Sequence, residues 1–169
     1  MNQQPERELE LDDERWMGLA LAEAERAWRA GEVPIGAVVV KDGQLLARAH
    51  NRREAWADPT AHAELIAVRQ AARIVGGWRL TGATVYVTIE PCPMCAGALL
   101  LARVERLVYG APDPKAGAVE SLVQLLNDPR FNHQVRVTAG VRAEEGAELL
   151  RCFFRQLREE AGGTARRGC

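Results

Sequence analysis

The spacing of apolar positions along this chain switches repeatedly between helical and strand periods, and the switches lay out its elements. From about Asp12 to Ala30, Trp16, Leu19, Ala20, Ala24 and Ala27 fall on one helical stripe, with Asp12-Asp13 as the cap and Gly31 as the stop. Two apolar runs, IGAVVV and QLLARA, flank Lys41-Asp42-Gly43, and Asp-Gly between such runs predicts a hairpin. The loop RREAWADPTA follows, and Asp58-Pro59-Thr60 is start chemistry for a second helix over about 61–74. ATVYVTI is a β-branched and aromatic strand ending at Glu90, after which PCPMCAGALL opens a third helix. RLVYGA predicts a fourth strand, SLVQLLND a short helix, QVRVTAGV a fifth strand and AEEGAELLRCFFRQLREE a final helix. A helix, a hairpin and then alternating helices and strands imply an α/β layered fold with a mixed sheet. The third and fourth strands should be parallel and joined by a right-handed crossover, and sites in such sheets form where strands end and helices begin.

Composition narrows the classes. At 169 residues, 47% apolar and 27% charged, the chain suits one globular domain without repeats or low-complexity linkers. No apolar run reaches the roughly 18 residues of a membrane span. The N-terminal MNQQPERELELDDE lacks the basic-then-apolar layout of a secretory signal, and four cysteines, one of them the terminal Cys169, make no disulfide framework. A cytoplasmic protein without a membrane partner is the expectation. The net charge of -1 hides an asymmetry, because residues 1–15 carry six acidic and two basic side chains, leaving the remainder at +3. Lysine occurs only as Lys41 and Lys115, so arginine supplies almost all positive charge. Biased codon usage explains that, and so do bidentate contacts to phosphate.

Cys92 and Cys95 stand two residues apart where a strand ends and a helix starts. A redox pair, part of a structural metal site and part of a catalytic one all use this spacing, and a helix N-terminus favours thiolate in each. A structural zinc site wants four protein ligands, and the chain has no second CxxC; Cys152 sits on an apolar helix and Cys169 at the end. His62-Ala63-Glu64, in the first turn of the second helix, changes the balance. One imidazole and two thiolates make three ligands with a fourth position open, the pattern of catalytic zinc. HxE with PCxxC at this separation is the zinc-deaminase signature, in which the glutamate is not a ligand but the general acid and base. Zinc brings the pKa of a bound water to about 7, and Glu64 can carry protons from that water to the ring nitrogen and the departing amine.

Beyond the metal motif, the stretches VPIGAVVV, HNRRE, DPTAHAE, WRL, TIEPCPMCAGAL, YGAPDPKAG, FNH and FFRQLR resemble the bacterial tRNA adenosine deaminases, zinc enzymes of the cytidine-deaminase-like superfamily. The resemblance implies a three-layer α/β/α fold with a mixed five-stranded sheet. It runs over about 13–158 of a single domain spanning 1–169, leaving an acidic N-terminal tail 1–12 and a C-terminal tail 159–169 outside it. It implies one Zn2+ per subunit on His62, Cys92 and Cys95, with Glu64 as the catalytic residue and a tRNA anticodon stem-loop as the substrate, its wobble adenosine becoming inosine. Asn51 matches the asparagine that bonds the purine edge, although it also suits a strand-ending turn. Ala63 and Glu64 resemble the backbone and side chain that address the base, and Val33-Pro34-Ile35 a wall of its pocket. Asp113 and Lys115 resemble contacts to sugar and phosphate, and Asn132 and His133 a further anticodon-loop contact. Phe153, Phe154, Arg155 and Arg158 resemble the C-terminal helix that packs on the core and meets RNA. The family is homodimeric, and the third helix, apolar nearly all round, suits burial against a second subunit or within the monomer. Gly146 and Gly76-Gly77 depart from the pattern and bear on local stability.

An anticodon loop makes physical sense as substrate because its bases are already unpaired, which lowers the cost of extruding one. Two rivals share the metal motif: a guanine, cytosine or nucleotide deaminase on the same scaffold, and a zinc-stabilised RNA-binding module without catalysis.

Overall fold

The computed structural model describes residues 4–161. Ten elements follow one another: α1 (Gln4–Arg29), β1 (Gly36–Lys41), β2 (Gln44–His50), α2 (Arg53–Trp56), α3 (Ala63–Val75), β3 (Ala83–Ile89), α4 (Pro93–Leu101), β4 (Arg106–Ala111), β5 (Arg136–Ala139) and α5 (Ala143–Ala161). The strands form one sheet in the order β2-β1-β3-β4-β5. β1 is antiparallel to β2 and to β3, whereas β3, β4 and β5 run parallel, so the sheet is mixed as expected. The Asp42-Gly43 turn has both residues at positive φ, the backbone that an Asp-Gly hairpin requires.

Alternation along the strands divides the core between two faces. Ala37, Val39, Val85, Val87, Leu107 and Tyr109 pack against Ile66, Ala67 and Ala71 of α3 and against Ala96, Leu99 and Leu100 of α4. Val38, Val40, Tyr86 and Val108 point the other way, onto Trp16, Met17, Ala20 and Leu21 of α1 and Leu149 of α5. Helices on both faces of the sheet make the three-layer α/β/α arrangement. Gly146, read from the sequence as a weak point of the last helix, is where α5 presses closest. A Cβ there would lie 2.7 Å from the Thr88 carbonyl oxygen, so the missing side chain is what allows the contact. Gly76 likewise ends α3 in the left-handed conformation, φ 71°, a regular helix stop.

Four local expectations are corrected. Asp12-Asp13 does not cap α1, which already runs from Gln4; Asp13 lies inside the helix and is buried. Its carboxylate accepts the Tyr86 hydroxyl at 2.9 Å and binds the Arg106 guanidinium at 2.8 and 2.6 Å, tying α1 to β3 and β4. SLVQLLND forms no helix but a run of turns, because the amides at its start are drawn to the carboxylate of Glu90 and Leu126 is the side chain it buries. Part of the loop RREAWADPTA, in turn, forms the short helix α2. The expected bounds of the fifth strand shrink to Arg136–Ala139. Cys169 and the GGTARRGC tail lie outside the described residues.

Replacing Asp13 strands a guanidinium in a nearly closed site. Asp13→Ala should therefore lose about 3 kcal/mol of stability. A urea unfolding midpoint equal to that of the wild type would remove the bridge from the account of how α1 is held.

Candidate active site

The ends of β2 and β3 deliver two helix starts to one place. His62 is the N-cap of α3 and Cys92 the N-cap of α4, both with extended backbone and neither using its side chain as a cap. Asp58 and Thr60, expected to start α3, instead close a turn on each other ahead of it: Asp58 Oδ1 accepts the Thr60 N–H at 2.8 Å and its hydroxyl at 2.7 Å. That leaves the His62 imidazole for other work. Pro93 occupies the first position of α4, where its missing N–H costs nothing, and Cys95 lies in the same turn.

His62 Nδ1 sits 3.7 Å from Cys92 Sγ and 3.6 Å from Cys95 Sγ, and the three ligand atoms lie within 4.8 Å of one another. Among the described residues this is the one such group of three. Tetrahedral zinc, with Zn–S about 2.3 Å and Zn–N about 2.0 Å, separates its nitrogen and sulfur ligands by about 3.6 Å, so the spacing fits the ion. Charge argues the same way. The Cys92 thiol is pushed down to about 4, first by a hydrogen bond from Cys95 and then by His62. That bond to Cys92, together with burial, pushes the Cys95 thiol up. Two thiolates this close need a cation between them, and a divalent metal supplies it.

Glu64 lies in the first turn of α3, buried. Among the described residues, its Oε2 is the one buried side-chain nitrogen or oxygen without a hydrogen-bond partner. Burial raises its pKa above the ordinary carboxylate range, with its own backbone N–H and the His62 charge acting the other way. A buried acceptor with no partner beside a metal-ligating trio is a group held ready for something the protein does not contain.

The remaining expected residues divide into two sets. Val33, Asp113, Lys115, Phe154, Arg155 and Arg158 converge on a groove of about 610 Å³, to which Ile35 and Ile89 also contribute. Phe153 is core and Phe154 is 42% exposed, the two rings meeting edge to face at 5.4 Å. Pro34 is buried between Val33 and Ile35 and does not line the groove. Asn51 is buried behind Ile35 and does not line the groove; its N–H donates to the Ile35 carbonyl at 3.1 Å, and its side chain donates to Glu32 at 3.3 Å. Ala63 is fully buried at the start of α3. Asn132 and His133 are not with them. Asn132 accepts from Arg103 at 2.7 Å and His133 bonds the Val104 carbonyl at 2.7 Å. Val104 precedes β4, so both residues lie at the amino ends of the parallel strands, across the sheet from the metal ligands. The geometry of one protomer does not bring them to the site.

Two carboxylates escaped the sequence reading. Glu32 is buried and accepts the N–H groups of Glu54 and Ala55 at 3.2 and 2.7 Å in addition to the Asn51 amide, which orients that side chain. Glu90 holds the loop after β4. Burial opposes its charge, but the Ser121 hydroxyl and the amides of Glu120, Ser121 and Asp113 outweigh it and keep the pKa at about 2. The available signal was an acidic residue directly before an apolar or proline-bearing turn, at a position that should be buried.

Fold and donor set together define the deaminase class. The chain belongs to the MafB19-like deaminase family, whose model matches residues 11–158. It is similar to the tRNA-specific adenosine deaminase of Bacillus subtilis (strain 168), 53% identical over 148 residues that make up 88% of this chain and 92% of that protein. The tRNA-specific adenosine deaminase of Agrobacterium fabrum is 51% identical over 85% of this chain and 94% of its own length. Among solved structures, one from a study of A-to-I editing by tRNA:A34 deaminases at the wobble position superposes with a TM-score of 0.78 at 50% identity, covering 80% of this chain and 99% of that one. A guanine deaminase from Nitrosomonas europaea shares the fold at TM-score 0.70 and 25% identity, with 83% of each chain covered.

Removing one thiolate leaves two protein ligands and an uncompensated geometry. Cys95→Ala should lower bound zinc by at least about tenfold in metal analysis of purified protein. Full zinc occupancy in that variant would exclude Cys95 from the ligand set.

Proposed function

We infer that this protein is a tRNA adenosine deaminase, converting the wobble adenosine of an anticodon loop to inosine by hydrolysis. The observation that carries the chemistry is the buried Glu64 carboxylate, its Oε2 without a partner, beside His62, Cys92 and Cys95. His62, Cys92 and Cys95 would hold a zinc ion, which would supply a water acidic enough to ionise near neutral pH. Glu64 takes a proton from the attacking water and gives it to the ring nitrogen of the base; it then takes the second proton from the hydroxyl now on the ring carbon and gives it to the departing amine, so that the carbonyl forms, water is consumed and ammonia leaves. Burial of Glu64 supports that shuttle, since a carboxylate that protonates easily both accepts and returns the proton.

The choice of tRNA over a free base rests on the groove and on the relatives. A free purine needs only a closed pocket, whereas this groove sets Lys115, Arg155 and Arg158 beside the exposed ring of Phe154. Cations for phosphate with an aromatic face for stacking are what a single-stranded loop requires. The relatives above half identity carry the tRNA-specific name, while the guanine deaminase matches at 25%. Asn51, oriented by Glu32, addresses the purine edge, with Ala63 and Val33 alongside.

The working unit is a homodimer in this reading. The outward side of α4 carries Leu101, 76% exposed, and the turns after β4 add Leu122 and Val123, exposed as well. A second subunit packed on these side chains would cover them. No helix among the described residues is long and apolar enough to cross a membrane, and a tRNA substrate fits a cytoplasmic protein.

Inosine formation in a tRNA bearing an unmodified wobble adenosine, with zinc measured in the same preparation, tests the assignment; turnover of free guanine but not of tRNA would replace it. Glu64→Ala should keep its zinc and lose at least about a hundredfold in rate. Activity near wild type would take the proton shuttle from Glu64. Changing Arg155 and Arg158 together to glutamine should flatten the dependence of log affinity on log salt by about 0.7 for each phosphate no longer neutralised. An unaltered slope would return both residues to ordinary surface charge.

A further inference from the structure

Glu90 stands at the end of β3, 3% exposed, two residues before the metal ligand Cys92. Its Oε1 accepts the N–H groups of Val119, Glu120 and Ser121 at 3.1, 2.8 and 2.9 Å. Its Oε2 accepts the Asp113 N–H at 2.9 Å and the Ser121 hydroxyl. The segment 112–121 belongs to no helix or strand, so these bonds stand in for a regular ladder. Gly117 makes room for the carboxylate, since a Cβ there would lie 2.3 Å from Oε2. Two more bonds pin the same loop to the same place: Ala118 N–H to the Pro91 carbonyl at 2.8 Å and the Tyr109 hydroxyl to Glu120 at 2.5 Å.

We propose that Glu90 is a positioning residue that fixes the loop bearing Asp113 and Lys115 against the start of the metal-binding helix, and thereby sets the register between bound RNA backbone and the reacting base. The assignment rests on the reading of the groove as the RNA surface. One side of the chain from Glu90 reaches the metal in two residues; the other side, through hydrogen bonds, reaches the groove wall. A shift of the loop by an ångström would leave the metal site intact and misplace the phosphate contacts. Binding of the RNA, not the chemical step, is where a fault in Glu90 should appear.

Glu90→Gln keeps the shape but turns one acceptor oxygen into an amide that faces N–H donors. On an anticodon stem-loop RNA it should raise KM roughly tenfold, with kcat within about threefold and about one zinc per chain retained. Hydrogen exchange of the amides of residues 113 and 119–121 should quicken while α3 and α4 keep their protection. Ser121→Ala, which removes a single donor, should move KM in the same direction by about threefold. A KM within twofold of wild type for Glu90→Gln, or equal losses in kcat and zinc, overturns the assignment. If Glu90→Gln does not fold, Ser121→Ala decides, and an unchanged KM counts against it. Absence of inosine from the wild-type protein would instead remove the tRNA reading, and loop exchange would still show whether Glu90 holds the loop.

Discussion

Two helices must begin at the same point for this protein to have a site. His62 and Cys92 occupy the N-cap positions of α3 and α4, where serine, threonine or aspartate would ordinarily spend the side chain on a backbone N–H. Here both caps leave the side chain unspent, and the imidazole and thiols turn to one another instead. The uncapped N–H groups and the positive helix ends lower the cost of thiolate charge, and a cation does the rest. The convergence is a property of the sheet. β3 carries the chain straight into α4, while the hairpin of β1 and β2 brings α3 to the same end from the other edge of the strand order.

Three buried carboxylates share that end of the molecule and meet different fates. Glu32 and Glu90 are filled with N–H donors, and their work is to hold α2, Asn51 and the loop after β4. Glu64 keeps an oxygen without a partner. The opposite pKa directions of Glu90 and Glu64 follow this difference, since burial pushes both upward, and the donors around Glu90 outweigh it whereas those around Glu64 do not. Glu32 and Glu90 are spent on holding the backbone, whereas Glu64 keeps an oxygen uncommitted. Sequence spacing draws no such distinction.

Features set by neighbours along the chain are legible in the sequence. The Asp42-Gly43 hairpin, the β-branched strand β3, the amphipathic α5 and the His62, Cys92 and Cys95 group each depend on a few adjacent residues, and each stands where its pattern puts it. What the pattern misses depends on a distant partner. SLVQLLND has helical spacing, but the amide of Ser121 goes to a carboxylate 31 residues away. Asp13 has the look of a cap, yet its partners Tyr86 and Arg106 lie 73 and 93 residues on. Asn132 and His133 rest on the likeness of a short stretch, and three residues say little about which end of a sheet they occupy.

Charge has the same two-level character. A nearly neutral total with arginine in excess of lysine suggests either codon bias or phosphate contacts, and the cations fall at two kinds of place. Arg130, Arg136 and Arg142 are paired with Asp128, Glu105 and Glu145 on open surface, where such pairs contribute little stability and mainly balance charge. Lys115, Arg151, Arg155 and Arg158 share one groove with an exposed aromatic ring, Arg151 being paired there with Glu144 and Glu148. Asp113, the acid in that groove, turns an oxygen back onto the amides of Lys115 and Ala116, so it shapes the turn as well as carrying charge. A few cations concentrated at one mouth suit a loop of RNA better than a duplex, because a loop presents few phosphates but splayed bases.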